Sequence, residues 1–379
     1  MSWRRSIALL CTIPAVLLTA ACGGPGGGGD LGSGGTSSAS RAAVGSFSSL
    51  TDVVIGASCS DSLSMMGGIV QVAAFRPSTG EVVKQATISL PTGATTAYDC
   101  SDSAYLFRQM FDKNFERMAV SLYNRETGGN DVGYIDIETG LVTDLDAGRN
   151  DFVPAAQHTN AVFNPADDSI WYTESNQAIF AVDPSGGQAR DTGARFKYAG
   201  QTKFVVVNGS PTITDWDSRD IILPSPSGNV FAHYGDSETT LGGSDFTFMS
   251  DATARTAQFV LKADDGRSPS RHVPVLWINE THLITTVDIS SMSAPAAQSL
   301  ALLQTAPDHR SLFSYQLLLP QTDRHNFAPM VSPDGSTLMF ISSRQQKAVL
   351  YTLNLGTKGA QPVESAIPSV PIGLLIDWR

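Results

Sequence analysis

The tetrapeptide Ser332-Pro-Asp-Gly335 separates two apolar runs, Phe327 to Val331 and Leu338 to Ile341, and weaker copies of that setting recur along the chain. Proline presets φ and glycine accepts positive φ, so a strand ends here, reverses and leaves again. The copies are Met110 to Val120, Phe163 to Tyr172, Leu223 to Phe231 and Leu276 to Ile284. With Asp112, Pro165, Pro226, Ile278 and Pro333 as markers, the period is roughly 52 to 61 residues. One further step back falls near Cys59 to Ser62. Self-similarity at this period confines the chain to folds that repeat one supersecondary unit.

A second punctuation follows the first. Val72 to Val83, with its turn at Gly80, and Tyr134 to Val142, with its turn at Gly140, both read strand, Gly turn, strand; Ile179 to Gly186 is similar. Each period therefore holds about four short strands and two turn types, the make-up of a propeller blade. The prediction is an all-β, six-bladed β-propeller. Phe204 to Asn208 reads either as an inserted hairpin that lengthens one step or as part of a seventh blade. Composition agrees: 34 glycines and 20 prolines suit a turn-rich chain, and no long helical periodicity competes. The best helical stretch, Ala294 to Gln304, reads equally well as a loop and a strand.

Pro329 to Arg344 resembles the WD40-like repeat of the TolB-type β-propellers, whose pattern is an aromatic residue or Pro, then Ser-Pro-Asp-Gly, then a Phe-containing strand ending in Ser-Asp or Ser-Arg. The stretches at Pro165 and Pro226 match in part. TolB-type proteins also carry an N-terminal α/β domain, whose pattern is missing here, so the Tol transport role is not carried over. The final segment, Val370 to Arg379, is apolar and lies after the last repeat's own strands. It is predicted to complete the blade begun near Asp52 to Gly56, closing the ring and removing two open sheet edges.

Arg4 and Arg5 precede an apolar run from Ile7 to Ala21 that ends Leu18-Thr-Ala-Ala-Cys22. That run is short and interrupted by Pro14, which reads as a signal peptide over residues 1–21. Its end resembles the bacterial lipobox, with Thr19 where Leu or Val is usual. The resemblance implies that Cys22 receives a diacylglyceryl group and, with a further fatty acid such as palmitate, anchors the protein on the extracytoplasmic side of a membrane in the bacterial cell envelope. Residues 22–46 are rich in Gly and Ser and have almost nothing to bury, so they read as a tether, with a reach on the order of 25 Å. The propeller is then residues 47–379.

Of the remaining cysteines, Cys11 leaves with the signal peptide, while Cys59 and Cys100 each open a Cys-Ser-Asp-Ser tetrapeptide. In an exported protein an even pair is most simply a disulfide; closing a loop of about 40 residues stabilises by roughly 4 kcal/mol on the chain-entropy account. The alternative is two buried thiols.

The formal net charge is −11 and no Lys/Arg stripe occurs, which argues against nucleic acid and anionic lipid surfaces as ligands. Catalytic signatures are missing: there is no G-x-S-x-G, H-E-x-x-H or C-x-x-C, and Gly24 to Gly29 meets the dinucleotide spacing only as linker composition. Asp215 to Asp220 lacks the Gly and distal Glu of a calcium loop. No cofactor is expected. His158, His272 and His325 each fall six to eight residues before a turn marker, which puts all three at the start of a blade and at one mouth of the channel. Three imidazoles there offer ligands to a transition metal or an acidic sugar, with Asp323, Arg324 and Asn326 on the same rim. Two functions fit: a binding or scaffold protein for an envelope, peptide or glycan partner, or a channel-mouth enzyme of lyase, lactonase or cyclotransferase type.

Overall fold

The computed structural model describes residues 46–379 apart from 65–66, 101–103, 127, 147–157, 175–176, 196–203, 208–209, 214–220, 228–229, 236–237, 244–256, 260–271, 290–296, 308–311, 320–323, 345–346 and 358. All of the described residues belong to one compact unit, Val44–Arg379. The signal-peptide, lipobox and tether assignments, Cys22 included, lie outside the described residues, as do Asp215 to Asp220 and Asp323.

Almost every described element is a strand, and the strands pair as successive antiparallel meanders. The first comprises β1 (Val54–Ser64), β2 (Gly67–Phe75) and β3 (Val82–Leu90). The second runs through β4 (Ala94–Thr95), β5 (Arg117–Tyr123), β6 (Asn130–Asp136) and β7 (Val142–Asp144); between β4 and β5 lies the one α-helix of the described residues, α1 (Ala104–Arg108). The third is β8 (Thr159–Phe163), β9 (Ile170–Thr173), β10 (Ala178–Val182) and β11 (Arg190–Arg195). A separate hairpin follows, β12 (Phe204–Val207) with β13 (Ser210–Ile213), so the Phe204 segment forms a two-stranded element of its own.

The next meander is β14 (Ile221–Pro224), β15 (Val230–Gly235), β16 (Glu238–Gly243) and β17 (Ala257–Phe259). After it come β18 (His272–Asn279), β19 (His282–Ile289), β20 (Ala297–Thr305) and β21 (Leu312–Leu318). The ambiguous Ala294 stretch thus enters strand β20. Last are β22 (His325–Val331), β23 (Thr337–Arg344), β24 (Lys347–Asn354) and β25 (Val363–Glu364), joined to the preceding meander by a single parallel bridge, Gln298 to His325.

The last strand, β26 (Leu374–Trp378), does not extend the last meander. It pairs with β1 from Val54 opposite Trp378 to Ala57 opposite Leu374, as the tail was predicted to do. The main chain adds bonds beyond the strand: Val53 N donates to Arg379 O at 2.8 Å, and Arg379 N donates to Val53 O at 3.0 Å.

Asp112, Pro165, Pro226 and Pro333 fall where the repeat required, between the first and second strands of their meanders, and Ile278 lies in β18 just before the corresponding turn. Asp112 N bonds Arg117 O, Asn164 N bonds Ser169 O, Ser225 N bonds Val230 O and Ser332 N bonds Thr337 O, while Asn279 faces His282 across a two-residue turn. The second punctuation joins third strand to fourth: Gly80 N donates to Arg76 O and Gly140 N to Asp136 O, with φ of 69° and 70° that glycine adopts without strain. The marker expected near Cys59 to Ser62 is corrected. Those residues lie inside β1, because this sheet takes its first strand from the far end of the chain and has no such turn.

The described buried apolar residues form four clusters, the largest of which joins several sheets. Val54, Ile55, Val72, Phe75, Phe107, Phe111, Val162, Ile179, Met339 and Leu375 belong to one buried cluster that spans the first, second, third and last sheets. Neighbouring sheets pack through their leading strands: β14 touches β18, β18 touches β22, and β22 touches β26.

Candidate functional site

The sheets contact one another at their turn ends and along their leading strands. At the turn end, the turn of one meander holds the turn of the next. Lys113 N donates to Asp168 Oδ1 at 3.0 Å and its ammonium lies 2.9 Å from Asp168 Oδ2, joining the second meander to the third. Glu280 does the same further on: its carboxylate accepts from Ser225 Oγ, Ser227 N and Ser227 Oγ, each at 2.8 Å. Ser225 is buried, so this carboxylate meets donors that water does not reach freely. Arg379 reaches the same end, donating to Lys113 O at 2.8 Å and standing over the buried Phe115 ring opposite Arg108.

The three histidines stand at the starts of leading strands: His158 just before β8, His272 as the first residue of β18 and His325 as the first of β22. Their surroundings differ. His325 is exposed. His158 is only 7% exposed and is turned into its own sheets, with Nδ1 donating to Asp146 Oδ2 at 2.7 Å and Nε2 3.6 Å from Glu174 Oε1. No hydrogen bond or ion pair joins His158 to His325 among the described residues. Arg324 turns to Ser342 Oγ and the Tyr351 ring, and Asn326 is fully buried with its amide on Leu318 O and Leu319 O. Asn326 therefore does not line the rim.

His158, Asp146 and Asp131 bring one ligand atom each within 4.8 Å of one another, the one such group among the described residues. Their partners explain them without a cation. Asp146 Oδ2 accepts from Val132 N as well as from His158, Asp131 Oδ2 accepts from Asn124 Nδ2 at 2.7 Å, and His158 N donates to Asn130 O. These bonds fasten the start of β8 to β6 and to the residues after β7. The donor set is spent on the junction between two sheets.

The second meander holds a feature that sequence reading missed. In the second meander the leading strand is interrupted: Ala94 and Thr95 pair with β5 at one end, and Phe111 pairs with Met118 at the other. Between them, α1 and the residues 96–100 lie outside the strands of the sheet. Gln109 Nε2 donates to Val206 O at 3.3 Å and Val206 N donates to Gln109 Oε1 at 2.9 Å, while Tyr98 Oη donates to Phe204 O at 2.7 Å. α1 also touches β26 and β18, the leading strands of two sheets that are not neighbours in the chain. Burial raises the Tyr105 hydroxyl far above the ordinary tyrosine value, against a small opposing pull from its bond with Gln109. A helix of five residues carries too little periodicity to be read from sequence.

Cys59 and Cys100 form a disulfide, with Cα atoms 5.8 Å apart, tying β1 to the start of this excursion.

No family model and no curated protein matches the sequence. Among solved structures, the chain is similar to an oligogalacturonate lyase in complex with manganese, at 9% identity over 83% of this chain and 74% of that one, with a TM-score of 0.34. A protein from Lactobacillus plantarum gives 14% identity, 84% of both chains and a TM-score of 0.34. A TolB candidate from Agrobacterium tumefaciens gives 10% identity, 67% of this chain, 78% of that one and a TM-score of 0.32. Likeness at this level identifies no family.

Proposed function

We propose that the chain is a closed six-bladed β-propeller, tethered to a membrane of the bacterial envelope through lipid on Cys22, that acts as a binding or scaffold protein. Support for the ring comes from the meanders following one another in chain order, from the contacts between leading strands, and from the pairing of β26 with β1. The two-stranded β12–β13 element is then an inserted hairpin rather than a seventh blade. The observation that carries the binding role is the occupied interior. The chain's own Tyr98, α1 and Gln109 would occupy the space where a channel-mouth enzyme holds its substrate. Contact with a partner falls instead to the strand-start rim, where His325 is exposed and His272 opens a leading strand. The acidic balance and the missing Lys/Arg stripe favour a peptide or glycan partner over nucleic acid.

Two measurements test this reading. The anchor is tested by palmitate labelling and detergent phase partition of the protein and of Cys22→Ser; unchanged partition of the variant defeats the anchor. The binding role is tested by glycan and peptide arrays, with affinity expected to fall in His325→Ala. Substrate turnover that is lost in His325→Ala would overturn it in favour of an enzyme.

A further inference from the structure

The stretches Thr96–Cys100 and Ala104–Gln109 make contacts that no blade requires. We infer that they form a plug across the interior, seated by the Cys59–Cys100 disulfide, and that reducing this bond unseats it; the inference rests on the ring proposed above.

The seat spans several sheets. Tyr98 and Gln109 bond to the backbone of β12, α1 touches β26 and β18, and Tyr105 packs against two separate apolar clusters, one containing Phe107 and Leu375 and the other Trp277 and Leu283. A segment that touches leading strands of sheets distant in ring order lies on the inside of the ring. A helix of five residues cannot hold itself in water, so α1 exists only while it is seated.

Both ends of the plug run into paired backbone. At its start Thr96 is next to Thr95 of β4, which pairs with β5, and at its exit Gln109 runs into Met110 and Phe111, where Ala119 N donates to Met110 O at 2.7 Å. Between these ends the covalent bond to Cys59 fixes Cys100 against the first sheet. Both cysteines are half-buried, whereas Tyr98 and Phe107 on the seat are 2% and 0% exposed. A small thiol therefore reaches the bond while the interior is still closed, and its loss leaves the stretch between the two strand ends held only by packing and hydrogen bonds.

The reaction needs a dithiol. One of its thiolates attacks a sulfur of the pair, forming a mixed disulfide, and the other cysteine leaves as a thiolate and takes up a proton. The second thiol of the reductant then displaces the remaining cysteine and closes its own disulfide. Two electrons and two protons pass from the dithiol to the pair, and no other reactant is consumed.

Hydrogen exchange read by mass spectrometry tests the inference on the folded oxidised protein, on the same protein in dithiothreitol and on the Cys59→Ser/Cys100→Ser variant. Exchange over residues 104–109 is expected to rise about tenfold or more on reduction and in the variant, with β5 and β23 unchanged. Unchanged exchange over 104–109 overturns the latch, and so does an equal rise in every strand, which would make the bond a general brace. If the variant does not fold, reduction of the folded protein decides alone. The ring has its own reading: unprotected amides in Val54–Ala57 and Leu374–Trp378 of the oxidised protein would defeat it, independently of what residues 104–109 report.

Discussion

The side-chain amide of Gln109 closes on both backbone groups of Val206, accepting from its N at 2.9 Å and donating to its O at 3.3 Å. Gln109 is 6% exposed and Val206 is wholly buried, so neither group has water to fall back on. Gln109→Ala leaves a buried donor and a buried acceptor unpaired and is expected to cost about 2–3 kcal/mol, read from urea unfolding. Gln109→Glu retains the acceptor alone and is expected to lose a comparable amount. A loss under about 0.5 kcal/mol in Gln109→Ala would show that the hairpin finds other partners.

His158 is expected to act on stability. Replacing it with Ala removes the donor on Asp146 Oδ2 and opens a gap beside the Tyr172 ring, whose centroid lies 4.8 Å from the imidazole. The cost is expected to be about 1–3 kcal/mol in urea unfolding. Added zinc or manganese is expected to leave the midpoint of the wild-type protein where it was, since Asp146 is engaged by His158 and Val132 N and Asp131 by the Asn124 side chain. A metal-dependent rise that disappears in the variant would contradict this.

The Asp334 carboxyl gives the protein a defined acid response. The Ser332 hydroxyl first, then Ser336 through its amide and hydroxyl, hold it down to about 2 from an ordinary value of 3.8. The folded state thus prefers the ionised form. Its contribution is complete above about pH 4 and is lost as pH falls through about 2. In Asp334→Asn, which keeps an acceptor oxygen but cannot titrate, melting temperature is expected to fall less steeply than in wild type across that window. Parallel curves would show that the carboxyl has no such role.

The closing strand is tested at Leu375, which is fully buried where β26 meets the core. Leu375→Ala is expected to cost about 2–5 kcal/mol. Because weakening β26 exposes the edge of β1, the variant is also expected to self-associate, seen by light scattering at temperatures where the wild type stays monodisperse. Loss of stability with no change in scattering would mean that the edge stays covered.

The periodic parts of the molecule were legible because their signals are local. Ser332 to Gly335, Gly80 and Gly140 mark turns by backbone chemistry that needs no distant partner, and each turn formed where it was read. The tail's pairing with β1 followed from an apolar strand left over after the last repeat, and the pairing of Cys59 with Cys100 from counting cysteines in a chain read as exported. What stayed hidden depends on contacts far apart in sequence. Nothing near Gln109 announces that its partner is Val206, and α1 is too short for a period to show. The histidines illustrate the same boundary: their register at strand starts was readable, yet of the two carboxylates beside His158, Asp146 follows β7 of the preceding meander and Glu174 follows β9.

The union of Val54 with Trp378 also governs when this protein can finish folding. The first sheet is synthesised without its leading strand, and nearly the whole polypeptide must follow before that partner arrives. Contacts so distant in sequence make the last step slow, since the chain's ends must meet before either is rewarded. Until then the edge of β1 is open to any other strand, so a nascent molecule is most vulnerable to mispairing at the place that later makes it most secure.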